Sequence, residues 1–305
     1  MYAPEAPIAR GMELVAPPQK NHHTGRTGIM AFNLESISKE IKVRAPHIIM
    51  LGVEKIGKTT FACGTRFEGG KIAETGINNP VVISVKGEEG ADSLAVGKFP
   101  VCNTYNDILD AIASLYSEEH EFQTVVLDSV SAIQPIIYDD VCSEFSVNNI
   151  RKVSGFRTGE AAVVSRWRVI LDGINALRDH KGMASVVIGH VAVKKHKNPE
   201  GDDYNTYDFD LDMAEVSELL KRWADVILFA NTKVVVRKDG KDSDFSRAKR
   251  LALDTTGGQR FLFTQKRPAH PGGGRGVYGH LPYELPLDWA AFEAAVAAAT
   301  AVATK

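Results

Sequence analysis

Long apolar runs are missing from this 305-residue sequence, and none approaches the roughly 18 residues that a membrane span requires. The N-terminus carries proline and charge where a secretory signal would have its apolar stretch. Cysteine is scarce: Cys63, Cys102 and Cys142 are too far apart for a metal-binding spacing or a disulfide framework. We therefore expect no membrane partner and a reducing, cytoplasmic location.

A strong net charge is also lacking. The formal net charge is −2, so any contact with nucleic acid would have to come from a local basic patch. Hydrophobic residues make up 44% and charged residues 24%, which is ordinary for a soluble globular protein. The length suffices for one large domain or two modest ones.

Residues 1–44 mix proline, glycine, histidine and charge without a period, which predicts a flexible arm. Such an arm can also cross to a neighbouring subunit. From residue 45, strand-like runs such as "HIIML", "PVVISV", "TVVLD" and "SVVIGH" alternate with helix-like segments, among them "KTTFACGTRF". Continuous β-branched runs are typical of strands buried on both faces, and they predict a parallel sheet with right-handed crossovers.

The pattern changes from about Lys233, where strand-like runs are joined by the turn sequences "KDGKD" and "TTGGQ". These predict antiparallel strands, and residues 291–305 predict an Ala-rich helical tail that frays. The expected fold is an α/β domain over residues 45–290, with a mostly parallel sheet, flanking helices and an antiparallel C-terminal extension.

Residues 52–59 read GVEKIGKT and match the phosphate-loop pattern G-x-x-x-x-G-K-[ST]. A predicted strand precedes the loop and a predicted helix follows it, as the motif requires. Glycines let backbone N–H groups converge on phosphate oxygens, and Lys58 can reach the β- and γ-phosphates. The predicted nucleotide-binding residues are Gly52, Val53, Glu54, Lys55, Ile56, Gly57, Lys58, Thr59 and Thr60.

A metal site is expected beside this loop. The Thr59 hydroxyl can ligate Mg²⁺, and Asp128, at the end of the strand "TVVLD", can hold the same ion through water. Thr59 and Asp128 are therefore the predicted metal ligands.

Hydrolysis also requires a group that orients or deprotonates water. Glu88 and Glu89 follow the strand "PVVISV" at the sheet edge where ligands gather, and either can face the γ-phosphate. We favour Glu89, because Gly90 after it permits a tight turn. His190 ends the fourth strand, where it can sense the γ-phosphate and relay its presence to the following loop.

The glycine loop, an acidic residue after the next strand, "VVLDS" and the stretch from "VVIGHV" to "WADVILF" together resemble the RecA-type P-loop ATPases of bacteriophages. The resemblance covers about Ala45 to Trp289. Some members of that family act as single-strand annealing proteins in recombination. The resemblance implies a RecA-like core, ATP with Mg²⁺, a ring or filament of identical subunits, and action on single-stranded DNA. It further implies a location in the bacterial host cytoplasm, and a single-strand DNA-binding protein as another candidate partner.

The same resemblance assigns roles residue by residue. Glu89 matches the catalytic glutamate and His190 the polar sensor. Lys266 and Arg267 resemble a basic pair that reaches a neighbour's γ-phosphate, and Arg275 is a further candidate for that contact or for DNA. The predicted catalytic residues are Lys58, Glu89, His190, Lys266 and Arg267.

Two basic loops are candidates for DNA contact, because basic residues interleaved with aromatic ones form platforms for single strands. One loop follows the His190 strand and the other follows the Asp128 strand. The predicted DNA-binding residues are Arg151, Lys152, Arg157, Lys194, Lys195 and Lys197. The alternative interpretation is that these charges only solubilise the loops.

Two other functions remain open on the same loop motif. A small-molecule or nucleotide kinase would need an arginine-bearing lid, for which residues 237–250 are a candidate, but no acceptor motif is recognisable. A nucleotide-gated scaffold without turnover would follow if neither Glu88 nor Glu89 faces the nucleotide.

Overall fold

The structure is a computed structural model that describes residues 37–39, 44–239, 249–254 and 256–303. The described residues from 44 onward form one compact unit. The arm predicted for residues 1–44 therefore lies almost wholly outside the described residues. So does the middle of the candidate kinase lid, residues 240–248.

The strands of the larger unit are β1 (His47–Gly52), β2 (Arg66–Glu68), β3 (Lys71–Glu74), β4 (Pro80–Ser84), β5 (Gly97–Lys98), β6 (Thr124–Asp128), β7 (Ala184–His196), β8 (Tyr204–Phe209), β9 (Val226–Thr232), β10 (Val234–Asp239), β11 (Lys249–Asp254), β12 (Arg260–Phe263), β13 (Gly273–Gly274) and β14 (Glu284–Pro286). The α-helices are α1 (Lys58–Ala62), α2 (Tyr105–Ser117), α3 (Val130–Glu144), α4 (Thr158–Lys181), α5 (Ala214–Trp223) and α6 (Trp289–Ala303).

The main sheet has the order β14-β12-β9-β1-β7-β6-β4-β5. Strands β9, β1, β7, β6, β4 and β5 run parallel, whereas β12, β13 and β14 are antiparallel additions toward the C-terminus. Strand β7 lies between the strand of the glycine loop, β1, and the strand of Asp128, β6. The predicted α/β fold, with a mostly parallel sheet, flanking helices and an antiparallel C-terminal extension, is confirmed.

The sheet is buried on both faces, as its continuous apolar strands predict. Ile49 and Leu51 of β1 belong to the core under α2, α3, α4 and α5. Ile48 and Met50 alternate with them and belong to the core that contains residues of α1 and α6. The three layers hold the carboxyl ends of β1, β4 and β6 at one edge of the sheet, next to His190 within β7.

Helix α1 is shorter than the segment "KTTFACGTRF" predicts, because it ends at Ala62. Gly64 follows with a φ of 63°, and a Cβ at that position would lie 2.2 Å from Asn78 Oδ1. The Asn78 side chain also donates to the Ala62 carbonyl at 2.9 Å. The chain therefore leaves the helix early and forms the β2–β3 hairpin.

Helix α6 packs on the domain through its first turn. Trp289 and Phe292 are buried, with ring centroids 5.2 and 5.9 Å from that of Phe61. The helix runs through residue 291, where the sequence places the start of the tail. Within the described part of the chain, neither α6 nor any other helix is long and apolar enough to cross a membrane.

Candidate active site

The glycine loop connects the buried end of β1 to α1. A Cβ on Gly52 would lie 2.7 Å from the Ala230 carbonyl oxygen on β9, so no larger residue fits beside that strand. Gly57 has a φ of 105°, in the left-handed region that favours glycine. The two glycines let the loop turn tightly and place Lys58 at the start of the helix.

Lys58 is only 5% exposed, and its amino group is held inside the loop. Its Nζ donates to the carbonyl oxygens of Gly52 and Val53, at 3.1 and 3.0 Å, and lies 3.3 Å from His190 Nδ1. Burial lowers the pKa of Lys58, while the nearby carboxylates of Asp128 and Glu88 act to raise it. The Lys58 amino group thus contacts two carbonyl oxygens of the loop and one ring nitrogen of His190, and it is the cation available to a polyphosphate at this loop.

Thr59 and Asp128 are in direct contact, because the Thr59 hydroxyl donates to Asp128 Oδ2 at 2.7 Å. Asp128 ends β6 and is 2% exposed. Burial raises the pKa of its carboxyl to about 6, although the hydrogen bond from Thr59 opposes this. The structure therefore brings together the two residues predicted to hold the metal.

Magnesium fits these two oxygen donors. Mg²⁺ is bound in proteins by one or two side-chain oxygens, with substrate phosphates and water completing its shell. Among the described residues, no group of three or more His, Cys, Asp or Glu side chains is arranged to hold a metal without such help. A buried carboxylate beside a hydroxyl is thus the donor set expected for a cation that arrives with a nucleotide.

Glu88 follows β4 and lies in a hydrogen-bonded chain at the edge of the sheet. Its Oε1 accepts from Ser129 Oγ at 2.6 Å and from His190 Nε2 at 3.1 Å. Burial acts to raise the pKa of Glu88, but the hydrogen bonds from His190 and Ser129 hold it below its usual value. With Nε2 donating to Glu88, the other ring nitrogen of His190 can accept from Lys58.

Glu89, which the sequence favours as the catalytic residue, is exposed, whereas Glu88 is half-buried. Both glutamates line the same cavity, so the role assigned to Glu89 stays a prediction. The contacts with Ser129 and His190 belong to Glu88. They were not visible in the sequence, because they depend on which way two adjacent side chains point.

The cavity has a volume of about 600 Å³ and lies at the ends of β1, β4 and β6, beside His190 of β7. It is lined by most of the predicted nucleotide-binding residues, by Asp128 and by His190. Gly52 and Val53 take part through their carbonyl contacts with Lys58, and the Ile56 carbonyl accepts from Arg260 Nη1 at 3.1 Å. Asp210 also lines the cavity. The sequence did not predict a role for Asp210 or Arg260, because neither lies in a recognisable motif.

Lys266 and Arg267 lie in the segment after β12 and do not line this cavity. The Arg267 guanidinium lies over the ring of Tyr283, 3.9 Å from its centroid. Arg275 donates to backbone carbonyls around Ala224 at the opposite end of the sheet. A role of Lys266 and Arg267 at a neighbour's phosphate stays a prediction.

The loop expected directly after His190 is instead a β-hairpin. Strand β7 continues to His196 and pairs with β8, which lies within the acidic stretch of the sequence. Lys194 donates to the Leu211 carbonyl at 2.7 Å, and Lys195 pairs with Asp203 at 2.9 Å. Lys197, near the turn, is exposed.

The second predicted DNA loop lies between α3 and α4. Arg151 and Lys152 are exposed in a short 3₁₀ helix, whereas Arg157 pairs with Glu215 at 2.5 Å. Phe156 beside it is 95% exposed. Two of the three basic residues in this loop are therefore exposed on the surface, and the third forms an ion pair within the chain.

A buried lysine in a two-glycine loop, next to a hydroxyl–carboxylate pair on the neighbouring segments, defines a P-loop nucleotide-binding protein. The sequence matches the AAA domain family over residues 44–276, and the chain belongs to that family.

A comparison with curated proteins gave no match. One solved structure similar to this chain is the crystal structure of the RadB recombinase, at 15% identity and a TM-score of 0.37, over 75% of this chain and 85% of that one.

Proposed function

We propose that this protein binds ATP with Mg²⁺ and hydrolyses it. The observation that carries the proposal is the continuous set of contacts from Lys58 through His190 to Glu88, adjacent to the Thr59–Asp128 pair. Lys58 neutralises charge on the β- and γ-phosphates, and the loop amides hold their oxygens. Thr59 and Asp128 would hold Mg²⁺, which would offset charge on the phosphates.

Glu88 is the residue that we assign to water. Its carboxylate is fixed by two donors and its pKa is held low, so it is ionised at neutral pH and can accept a proton or orient the attacking water. Glu89, which lines the same cavity, is the alternative base.

His190 is proposed to link the phosphate site to DNA. It contacts both Lys58 and Glu88, and its carbonyl accepts from Asp210, just past the end of β8. His190 therefore lies next to both strands of the β7–β8 hairpin, so a change at its ring takes place beside them. The hairpin carries exposed Lys195 and Lys197, with His196 and Tyr204 stacked at 4.9 Å between ring centroids.

We assign single-stranded DNA to this basic, aromatic hairpin and to Arg151 and Lys152. The protein would act as an oligomer in phage recombination or replication, annealing or handling strands, with Lys266 and Arg267 reaching a neighbour's phosphate. A single-strand DNA-binding protein would be a partner in the cytoplasm of the host. These finer assignments rest on the resemblance described above and on the exposed basic residues.

Phosphate release at steady state, with and without single-stranded DNA, tests the proposal. Hydrolysis that DNA stimulates and that Lys58→Ala abolishes is the expected result, with Lys71→Ala on the exposed strand β3 as the control. Transfer of phosphate to another acceptor would favour the kinase, and ATP binding without turnover would favour the scaffold. Absence of ATP binding at millimolar nucleotide would refute all three.

A further inference from the structure

A second cavity, of about 510 Å³, lies near the glycine loop. Three separate segments form it: the β2–β3 hairpin, the turn before β12, and the chain from β14 into α6. Phe67 of β2 and Arg260 of β12 both line it, and the guanidinium lies over the ring, 5.1 Å from the centroid.

Arg260 joins this cavity to the phosphate loop. Its Nη1 donates to the Ile56 carbonyl at 3.1 Å, and a Cβ on Gly57 would lie 2.7 Å from the same nitrogen. The guanidinium therefore rests against the last residues before Lys58. A ligand held by Lys58 would have Arg260 as a close cationic neighbour.

The order of the strands indicates which way a bound nucleotide would extend along the edge of the sheet. Strand β1 has β7 on one side and β9, followed by β12, on the other. Glu88 and His190, which we assign to the terminal phosphate, follow β4 and lie on β7. The opposite end of the nucleotide would then extend toward β9 and β12, where the second cavity opens.

The walls of this cavity suit a flat ring. Gly70, Gly257 and Gly258 have φ values of 77°, 66° and 83°, and a Cβ on any of them would meet nothing within 4 Å. The space that a side chain would occupy at these glycines is therefore open. Phe67 and Arg260 offer the aromatic and guanidinium planes on which nucleobases stack, and the exposed Gln259 offers an amide donor and acceptor.

Phe67 is held in place by the start of α6. Asp288 Oδ2 accepts from the Phe67 backbone N–H at 2.6 Å, and Oδ1 accepts from the Ala291 N–H at 2.8 Å. One carboxylate thus ties the β2–β3 hairpin to the helix. The aromatic ring is a positioned wall of the cavity although the hairpin itself is largely exposed.

We propose that this cavity binds the nucleoside of the triphosphate, with the base stacked on the outer face of the Phe67–Arg260 pair. The inference rests on the proposed nucleotide-binding function and adds the residues that recognise the base and sugar. It separates recognition of the nucleoside, by β2, the turn before β12 and α6, from recognition of the phosphates by the glycine loop.

Calorimetric titration with ATP and with inorganic tripolyphosphate, both with Mg²⁺, tests this division. Phe67→Ala removes the stacking wall, and Ala291→Trp fills the cavity from the helix side. Both variants should weaken ATP binding at least about fivefold, the lower range for a stacked base. Both should leave tripolyphosphate binding unchanged. Ile72→Ala, on the outer strand of the same hairpin and outside the cavity, is the matched control.

The outcomes separate this inference from the function on which it rests. If ATP binds equally well to the wild type and to both variants, the nucleoside lies elsewhere, while nucleotide binding stands. If ATP and tripolyphosphate weaken equally, the substitutions act on the phosphate loop and the inference is wrong. If the wild type binds neither ligand, the nucleotide-binding function itself fails and this inference falls with it.

Discussion

The Glu88 carboxylate and the His190 imidazole are joined by a hydrogen bond of 3.1 Å between Oε1 and Nε2. The bond spans from the end of β4 to β7, past the intervening strand β6. The proposed base and the proposed phosphate sensor therefore form one unit, and a substitution of either residue should affect the other.

Glu88→Gln keeps an acceptor for Ser129 and His190 but removes the basic group. We expect kcat for ATP hydrolysis to fall by about 10²- to 10⁴-fold, the usual effect of losing a positioned base, with little change in ATP affinity. Glu89→Gln is the matched control and should retain most of its activity, because Glu89 is exposed. The reverse pattern in a phosphate-release assay would show that the adjacent glutamate is the base.

His190→Ala removes the contacts to both Lys58 and Glu88. We expect the basal rate to fall and, in addition, stimulation by single-stranded DNA to disappear, because the link to the β7–β8 hairpin is broken. The ratio of rates with and without DNA measures this coupling. A variant that is slower but still stimulated to the wild-type ratio would confine His190 to positioning Glu88.

Charge reversal on the hairpin tests the DNA surface. Lys195→Glu combined with Lys197→Glu should weaken single-strand binding and reduce its dependence on salt, by roughly 0.7 in the log–log slope for each DNA phosphate that a lysine no longer neutralises. Lys194 is left in place because it holds the Leu211 carbonyl. Basal ATPase activity should stay intact, and Lys71→Glu on the exposed strand β3 should have no effect. Unchanged affinity and slope would mean that these lysines only solubilise the hairpin.

The buried His47 side chain should make the folded protein less stable in mild acid. It is buried at the start of β1, stacked on Trp223, with Nδ1 2.7 Å from Ser185 Oγ. Burial, aided by the charge of Arg178 and opposed by that of Asp225, lowers its pKa to about 4. In the unfolded chain, His47 takes up a proton near pH 6.5, whereas in the folded protein it does so only near pH 4. The free energy of unfolding is therefore fully retained above pH 6.5 and falls as the pH drops toward 4.

Between pH 7 and pH 5 the free energy of unfolding should drop by about 2 kcal/mol through this one residue. Urea unfolding at the two pH values measures the drop. His47→Phe keeps a ring against Trp223 but cannot titrate, so its own loss between the two pH values should be smaller by that amount. An equal loss in the variant and the wild type would assign the acid sensitivity to other groups.

Substitution of Phe292 tests how much the packing of α6 on the domain contributes to the free energy of unfolding. The side chain is 3% exposed and packs with Trp289 on Phe61. Phe292→Ala should lower the free energy of unfolding by about 3–5 kcal/mol, as expected for a buried aromatic residue, whereas Glu293→Ala on the exposed side should change it by less than about 0.5 kcal/mol. A loss below about 1 kcal/mol for Phe292→Ala would make the helix an independent tail.

Much of the fold was predictable from local patterns. The spacing of Gly52 and Gly57 around the loop, together with Lys58, identifies the motif because the conformation depends on those residues themselves. The parallel strands were predictable because their burial on both faces leaves uninterrupted apolar runs. The change to antiparallel pairing after β9 was marked by its turn sequences.

What could not be predicted depends on contacts between distant parts of the chain. The early end of α1 requires Asn78, fourteen residues beyond Gly64, to occupy the space of the missing Cβ. The choice between Glu88 and Glu89 depends on Ser129 and His190, which lie on other segments. Arg260 reaches the glycine loop from a strand more than two hundred residues away.

Strand β7 continues without interruption from His190 to His196. At roughly 3.3 Å per residue, the stacked end of the hairpin lies about 20 Å from the imidazole. A paired ribbon of this length acts as a lever arm, so a tilt of about 5° at the phosphate end would displace its tip by nearly 2 Å. Under the proposed function, a displacement of that size would shift the exposed Lys195 and Lys197 relative to a bound DNA strand.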